Sequence, residues 1–345
     1  MLWVTEATKR LFWNSTERRW RAGWRVVLYS ALWVTIQVAS SMVITSSFTT
    51  VFVAVAPAFA PIAGALLFYV VNALFVFGMT WLLAWGIDQR PLADLGLRLD
   101  WHYLEDLSFG LVLGAGLMSL IFLVEWGLHW ITVTAFFHTT LPNTAFRIAI
   151  WQPILLFIAV GINEELLSRG YQLRNLAEGF HFSTRHPYLA IRLAWLLSSL
   201  IFGFLHIFNP NSTWVSTVAL MLAGILLGAG YVLTGRLGLS IGLHITWNFF
   251  QGSVYGFRVS GNDLSNTSFI AIQQMGPRLW TGGAFGPEAG LIGIVAMLLG
   301  LGVIALWVRW RYGALRLQPA LAHYRDRRQP LSYHEAKEQG VIHVN

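Results

Sequence analysis

Val26–Ile87 reads VVLYSALWVTIQVASSMVITSSFTTVFVAVAPAFAPIAGALLFYVVNALFVFGMTWLLAWGI, 62 residues without one Asp, Glu, Lys or Arg. A membrane-crossing helix needs about 20 mostly apolar residues. The run therefore holds two spans, and its Ser-, Thr- and Pro-containing part near Ser46–Pro61 predicts the loop between them. Outward from it, uncharged runs recur at Leu107–Val124, from Ile148 to Asn163, at Leu193–Gly235, at Leu237–Phe257 and at Ala289–Val308. The fourth of these eight spans starts at Ile148. Leu193–Gly235 is long enough for two more, broken at Asn209-Pro210-Asn211. The expectation is an all-α polytopic membrane protein with about eight transmembrane helices.

Composition agrees. Only 11% of the 345 residues are charged, 56% are hydrophobic, and the mean hydropathy is +0.58. A disordered chain needs the opposite balance, and a soluble globule could not hide so much apolar surface. The net charge of +7 could suggest nucleic acid, but alongside 17 Trp and long uncharged runs it fits a lipid-bilayer partner better than a nucleic acid. The absence of cysteine excludes disulfides, thiolate catalysis and Cys-ligated zinc.

The basic residues orient the chain. With the N-terminus in the cytoplasm, nineteen of the 23 Lys and Arg fall on the inner side, and the outer loops carry Arg258 and Arg278. The positive-inside rule then places both termini in the cytoplasm. Residues 1–25 combine Lys9, Arg10, Arg18, Arg19, Arg21 and Arg25 with Trp3, Leu11, Phe12, Trp13, Trp20 and Trp24, which reads as an interfacial helix on anionic lipid. Residues 26–309 form the membrane domain, and 310–345 a polar cytoplasmic tail. Small-residue pairs at Gly110/Gly114, Gly224/Gly228 and Gly238/Gly242 suggest close helix crossings.

Ionisable groups inside spans are costly and point to function. Here they are Glu164, Glu165 and Arg169 in the fourth span, His206 in the fifth, His244 with Asn248 in the seventh, and Glu125 near the outer end of the third. Glu165 and Arg169 are four residues apart on one helix face, the spacing of an ion pair. Glu164 is rotated about 100° from Glu165 and is free to act as a general base. His244 and Asn248 share a face and could hold a developing oxyanion. With Glu164 and His206 they could equally hold a metal. Glu125 has no evident partner and reads as an outer-interface contact. Counted from the inner side, His206 falls about 10 Å deeper than Glu164 and His244; a fourth span reaching beyond the membrane, or a fifth that starts late and tilts, would close that gap.

Glu164-Glu165-Leu166-Leu167-Ser168-Arg169, Phe202-Gly203-Phe204-Leu205-His206 and His244-Ile245-Thr246-Trp247-Asn248 follow the patterns Glu-Glu-x-x-x-Arg, Phe-x-x-x-His and His-x-x-x-Asn. In this order, on successive spans, they resemble the CPBP family of intramembrane proteases, which includes Rce1-type CAAX prenyl endopeptidases and bacterial Abi-type proteins. The stretches Trp247–Gly252 and Gly282-Gly283-Ala284-Phe285-Gly286-Pro287-Glu288 are also similar to bacterial members. The resemblance implies a protease core at about 148–257 that hydrolyses a peptide bond of a membrane-associated peptide or protein, in a multi-pass protein of a bacterial cytoplasmic membrane. It implies that Glu164 activates water, His206 positions it, His244 and Asn248 stabilise the oxyanion, and Glu165 and Arg169 shape the site. Glu164, His206 and His244 fit either a Zn2+ site or a metal-free glutamate mechanism.

Other readings fare worse. Gly238-Leu239-Ser240-Ile241-Gly242 matches a serine-hydrolase elbow, but that elbow sits on a sheet, and none is expected here. His334-Glu335-Ala336-Lys337-Glu338 lacks the second His of a zinc protease. A transporter would show an inverted repeat or paired broken helices. A non-catalytic immunity or scaffold protein would not need the full motif set.

Overall fold

The computed structural model describes residues 11–55, 60–184, 186–264 and 266–324. A short antiparallel hairpin, β1 (Trp13–Asn14) and β2 (Arg19–Trp20), leads into α1 (Ala22–Val55) and α2 (Ala60–Gly86). Next come α3 (Trp101–Gly127), strand β3 (Ile131–Thr139) and α4 (Trp151–Glu165). The α4 helix continues through a π-helical segment, Leu166–Leu173, into α5 (Arg174–Thr184). Then follow α6 (Pro187–Leu205), α7 (Trp214–Thr234), α8 (Gly238–Phe249, with a second π segment Phe250–Val254), β4 (Thr267–Gln274) and α9 (Leu291–Tyr312). Among the described residues, six helical stretches are long and apolar enough to cross a membrane. Their exposed faces carry large hydrophobics such as Val112, Leu123, Leu298 and Leu306, as lipid-facing helices must.

The sequence reading is corrected in four places. Residues 46–55 belong to α1 rather than to a loop, so any break there falls at 56–59, outside the described residues. The N-terminal segment is not one interfacial helix: residues 13–20 are the β1–β2 hairpin, and Arg19 and Arg25 are buried. Arg19 and Arg90 each donate to Glu178 Oε2 at 2.7 Å, and Arg25 donates to Asp88 Oδ1 at 2.7 Å. Guanidiniums expected to meet lipid headgroups instead pair with buried carboxylates, because an unpaired buried charge is far more costly. The tail is not wholly free either, since Arg174 donates to the carbonyls of Ala320 and His323 at 2.6 and 3.1 Å. Residues 1–10 and 325–345 lie outside the described residues. Finally, β3 and β4 form a two-stranded antiparallel ribbon, from Ile131↔Gln274 to Thr139↔Thr267, where no strand was expected. Glu125 gains its partner there, accepting a hydrogen bond from Gln274 Nε2 at 2.8 Å. The ribbon offers no elbow: Ser240 is fully buried and donates to Leu227 O at 2.6 Å, a tie between helices.

The predicted small-residue pairs lie at helix crossings. A Cβ on Gly242 would sit 2.8 Å from Leu111 N, and one on Gly110 2.8 Å from Leu243 N. Backbones of α3 and α8 therefore touch, which only glycine permits. Gly224 meets the backbone of Ser199 in the same way, while Gly228 makes room for the indole ring of Trp195, both on α6. The crossing holds α8, the predicted seventh span, in the interior of the bundle, where Leu239 and Leu243 pack in the main core with Met118 and Met297.

Candidate active site

The α4–π–α5 rod and α6 set the depth of the motif residues. At ~1.5 Å per residue, Glu164 lies about 26 Å from His181 and His206 about 28 Å from Pro187. The expected depth mismatch closes because the fourth helix continues to Thr184, well past the uncharged run that marked it.

Glu164, His206, His244 and Asn248 all line one cavity of about 430 Å³. Its walls come from α1, α4, α6, α7, α8 and the 259–264 loop, and are mostly apolar. Glu164 is partly exposed to this space, and its Oε2 lies 4.0 Å from His244 Nε2. Glu165, one residue on, is fully buried and faces away from the cavity toward Arg169. Its Oε1 accepts from Arg169 Nη1 at 2.8 Å, the pair the spacing predicted.

The same oxygen also lies 2.8 Å from His244 Nδ1. A carboxylate bound to arginine accepts only, so Nδ1 carries the proton and Nε2 faces Glu164. Glu165 is therefore an orienting partner for His244 as well as a charge partner for Arg169. Arg169 also donates to Gly224 O at 3.0 Å and packs its guanidinium 4.6 Å from the Phe202 ring centroid. Phe202 gives a physical role to the aromatic of Phe-x-x-x-His. Its ring contacts Arg169, His206 and His244, at centroid distances of 4.8 and 6.2 Å for the two imidazoles. Its carbonyl accepts from His206 Nδ1 at 2.7 Å. Both imidazoles thus have Nδ1 engaged and Nε2 free for chemistry.

Metal ligation by Glu164, His206 and His244 needs three donors converging on one point. Among the described residues no group of three or more His, Asp or Glu is so arranged. The residues share a cavity wall without forming a preformed three-donor cage.

Three residues of the cavity were not singled out for chemistry in the sequence. Trp33 of α1 lines it, and its indole N–H is buried with no hydrogen-bond partner among the described residues. Ser168 lines it from the π segment. Glu288 lines it from the turn before α9. Glu288 Oε1 accepts from Ser260 N at 2.6 Å and Oε2 from Gln251 Nε2. Burial pushes its carboxyl up to about 7, against the opposing pull of these hydrogen bonds. The glycine-rich stretch before it has a purpose, since Gly286 adopts φ 123° and a side chain there would strike Arg258 O. One signal could have found Glu288: it is the sole acid between Asp263 and Asp326, at the edge of the last uncharged run. Ser168 and Trp33 are ordinary residue types in apolar helices and carry no such signal.

No curated protein and no solved structure matches the chain. The model of one family, the type II CAAX prenyl endopeptidase Rce1-like family, matches residues 146–250, the stretch that contributes Glu164, Glu165, Arg169, His206, His244 and Asn248. Residues 146–250, under a third of this multi-pass membrane protein, thus resemble an Rce1-like domain, which is consistent with the CPBP family of intramembrane endopeptidases.

Proposed function

We propose that the protein hydrolyses a peptide bond of a membrane-associated peptide or protein with a water activated by Glu164. The observation that carries this reading is the convergence of Glu164, His206, His244 and Asn248 on one apolar cavity. Glu164 takes a proton as the water oxygen bonds to the scissile carbonyl carbon. The carbonyl electrons move to oxygen, which the Asn248 carboxamide and the His244 ring flank, the carboxamide donating to the oxyanion. His206 Nε2 holds the water. Glu164 then returns the proton to the amine as the C–N bond breaks. Glu165 and Arg169 fix His244, and the Trp33 N–H is available to a substrate carbonyl. No step requires a metal, and the wall geometry supports the glutamate route. With both termini in the cytoplasm, a bacterial cytoplasmic membrane is the fitting location. The cavity's mostly apolar walls would accommodate a prenyl group on the substrate.

The test uses purified full-length protein in phosphatidylethanolamine/phosphatidylglycerol vesicles with a pool of membrane-anchored peptides, and mass spectrometry of new termini. Wild type produces defined cleavages, and Glu164→Gln and His206→Ala lose them by about 100-fold or more. Equal cleavage by all three proteins would overturn the assignment. Persistence of the wild-type rate under strong chelation is the expected result, and its loss would overturn the metal-free route.

A further inference from the structure

Ser168 sits one turn after Glu164, in the π segment Leu166–Leu173, and lines the same cavity. It is 1% exposed, and its hydroxyl has no hydrogen-bond partner among the described residues. Among the described residues Ser253 and Ser268 share this condition, but neither lines the cavity. Ser119, Ser199, Thr217 and Thr246 each donate to the carbonyl four residues earlier, the usual way a helical hydroxyl is satisfied. In a π segment the backbone bonds run to the fifth residue instead, and Ser168 makes no bond back to Glu164 O. A buried hydroxyl left without a partner costs about 1–3 kcal/mol, so its place in a cavity wall beside a candidate base calls for a polar partner.

We propose that Ser168 is a positioning residue that holds the attacking water. The water donates one hydrogen to the Glu164 carboxylate and the other to His206 Nε2 and accepts from the Ser168 hydroxyl, which leaves its second lone pair directed into the cavity toward the substrate carbonyl. Ser168 takes no proton in the reaction; it fixes the orientation of the water while Glu164 removes its proton. Two independent features converge here. Positions four apart on a helical rod share a face, and both side chains border one cavity. The assignment rests on the endopeptidase reading above.

The experiment compares wild type, Ser168→Ala and Glu164→Gln in the vesicle assay, with thermal unfolding of each and an experimental structure of wild type and Ser168→Ala at a resolution that shows waters. Ser168→Ala is expected to lower kcat about 10- to 100-fold, the loss of one hydrogen bond to a charged reacting group. KM should stay within about threefold and Tm should hold. A water within hydrogen-bond distance of both Ser168 Oγ and Glu164 should be present in wild type and lost in the variant. An unchanged kcat with a raised Tm, the signature of removing an idle buried hydroxyl, overturns the proposal. So does a rise in KM with kcat unchanged. If wild type cleaves nothing, the endopeptidase reading fails, and the structures alone decide the water site: a bridging water supports it and its absence overturns it.

Discussion

Glu165→Gln separates the two tasks given to Glu165. Its carboxylate is fully buried, and Arg169 is 1% exposed. Both His244 Nδ1 and Arg169 Nη1 lie 2.8 Å from the same oxygen. The amide keeps an acceptor but removes the charge. Arg169 is then a buried cation that keeps the amide oxygen, Gly224 O and the Phe202 face but has lost its paired carboxylate, leaving only the more distant charge of Glu164, a change that costs about 3–5 kcal/mol. Against a typical stability of about 5–15 kcal/mol, that is a large loss. Adding Arg169→Met should restore most of it, because a buried pair replaced by neutral groups is often nearly neutral. Activity should not return with stability. The amide can turn either its oxygen or its NH2 toward His244, and the second choice stabilises the wrong imidazole tautomer. We expect cleavage to stay about 100-fold or more below wild type in the stable double variant, the scale seen when an orienting carboxylate is lost. The assays are thermal unfolding by tryptophan fluorescence and the vesicle cleavage rate. Recovery of both stability and full rate in the double variant would refute the orienting role. A cost under about 1 kcal/mol for the single variant would refute the buried-pair role.

The helix crossing and the turn before α9 give two further tests. Gly242→Ala puts a Cβ 2.8 Å from Leu111 N and closer still to Leu107 O, so α3 and α8 must part by roughly an ångström, which forfeits up to about half of the local dispersion contact and costs about 1–3 kcal/mol. Gly116→Ala, which meets nothing within 4 Å, should be neutral or stabilising by up to about 1 kcal/mol; equal Tm values for the two variants would remove the crossing from the account. Glu288 has a folded-state value near 7 against 4.5 for the free side chain. The native state therefore keeps a proton that the unfolded chain releases, so stability is greatest below about 4.5, declines through pH 7 and levels above it. At about 1.36 kcal/mol per unit the decline is roughly 3 kcal/mol. Unfolding measured from pH 4 to 8 should show this slope in wild type and not in Glu288→Gln, and parallel profiles would exclude Glu288 as its source.

Much of the site was legible because its logic is local. The i, i+4 spacing of Glu165 and Arg169 predicts their pair, and the 100° rotation between neighbours predicts that Glu164 faces elsewhere, as it does toward the cavity. The glycine spacings predicted close crossings for the same reason, since helix periodicity turns sequence distance into a shared face. The N-terminal segment misled because Trp and Arg suit a lipid interface and a buried ion-pair cluster equally well. Only the position of Glu178, more than 150 residues away, tells the two apart.

The sequence by itself determined the class and which residues violate the scarcity of charge, because the bilayer's cost for polar groups acts on each span separately; it gave about eight spans where six helical stretches among the described residues are long and apolar enough to cross. It did not determine what those residues touch. The bond from Glu165 to His244, the contact of Phe202 with three motif residues, and the meeting of Trp33, Ser168 and Glu288 in one cavity depend on helices distant in the chain packing side by side. Contacts of that kind are set by crossing positions and helix depth, which have no local period to read, and so the tertiary structure alone decided them.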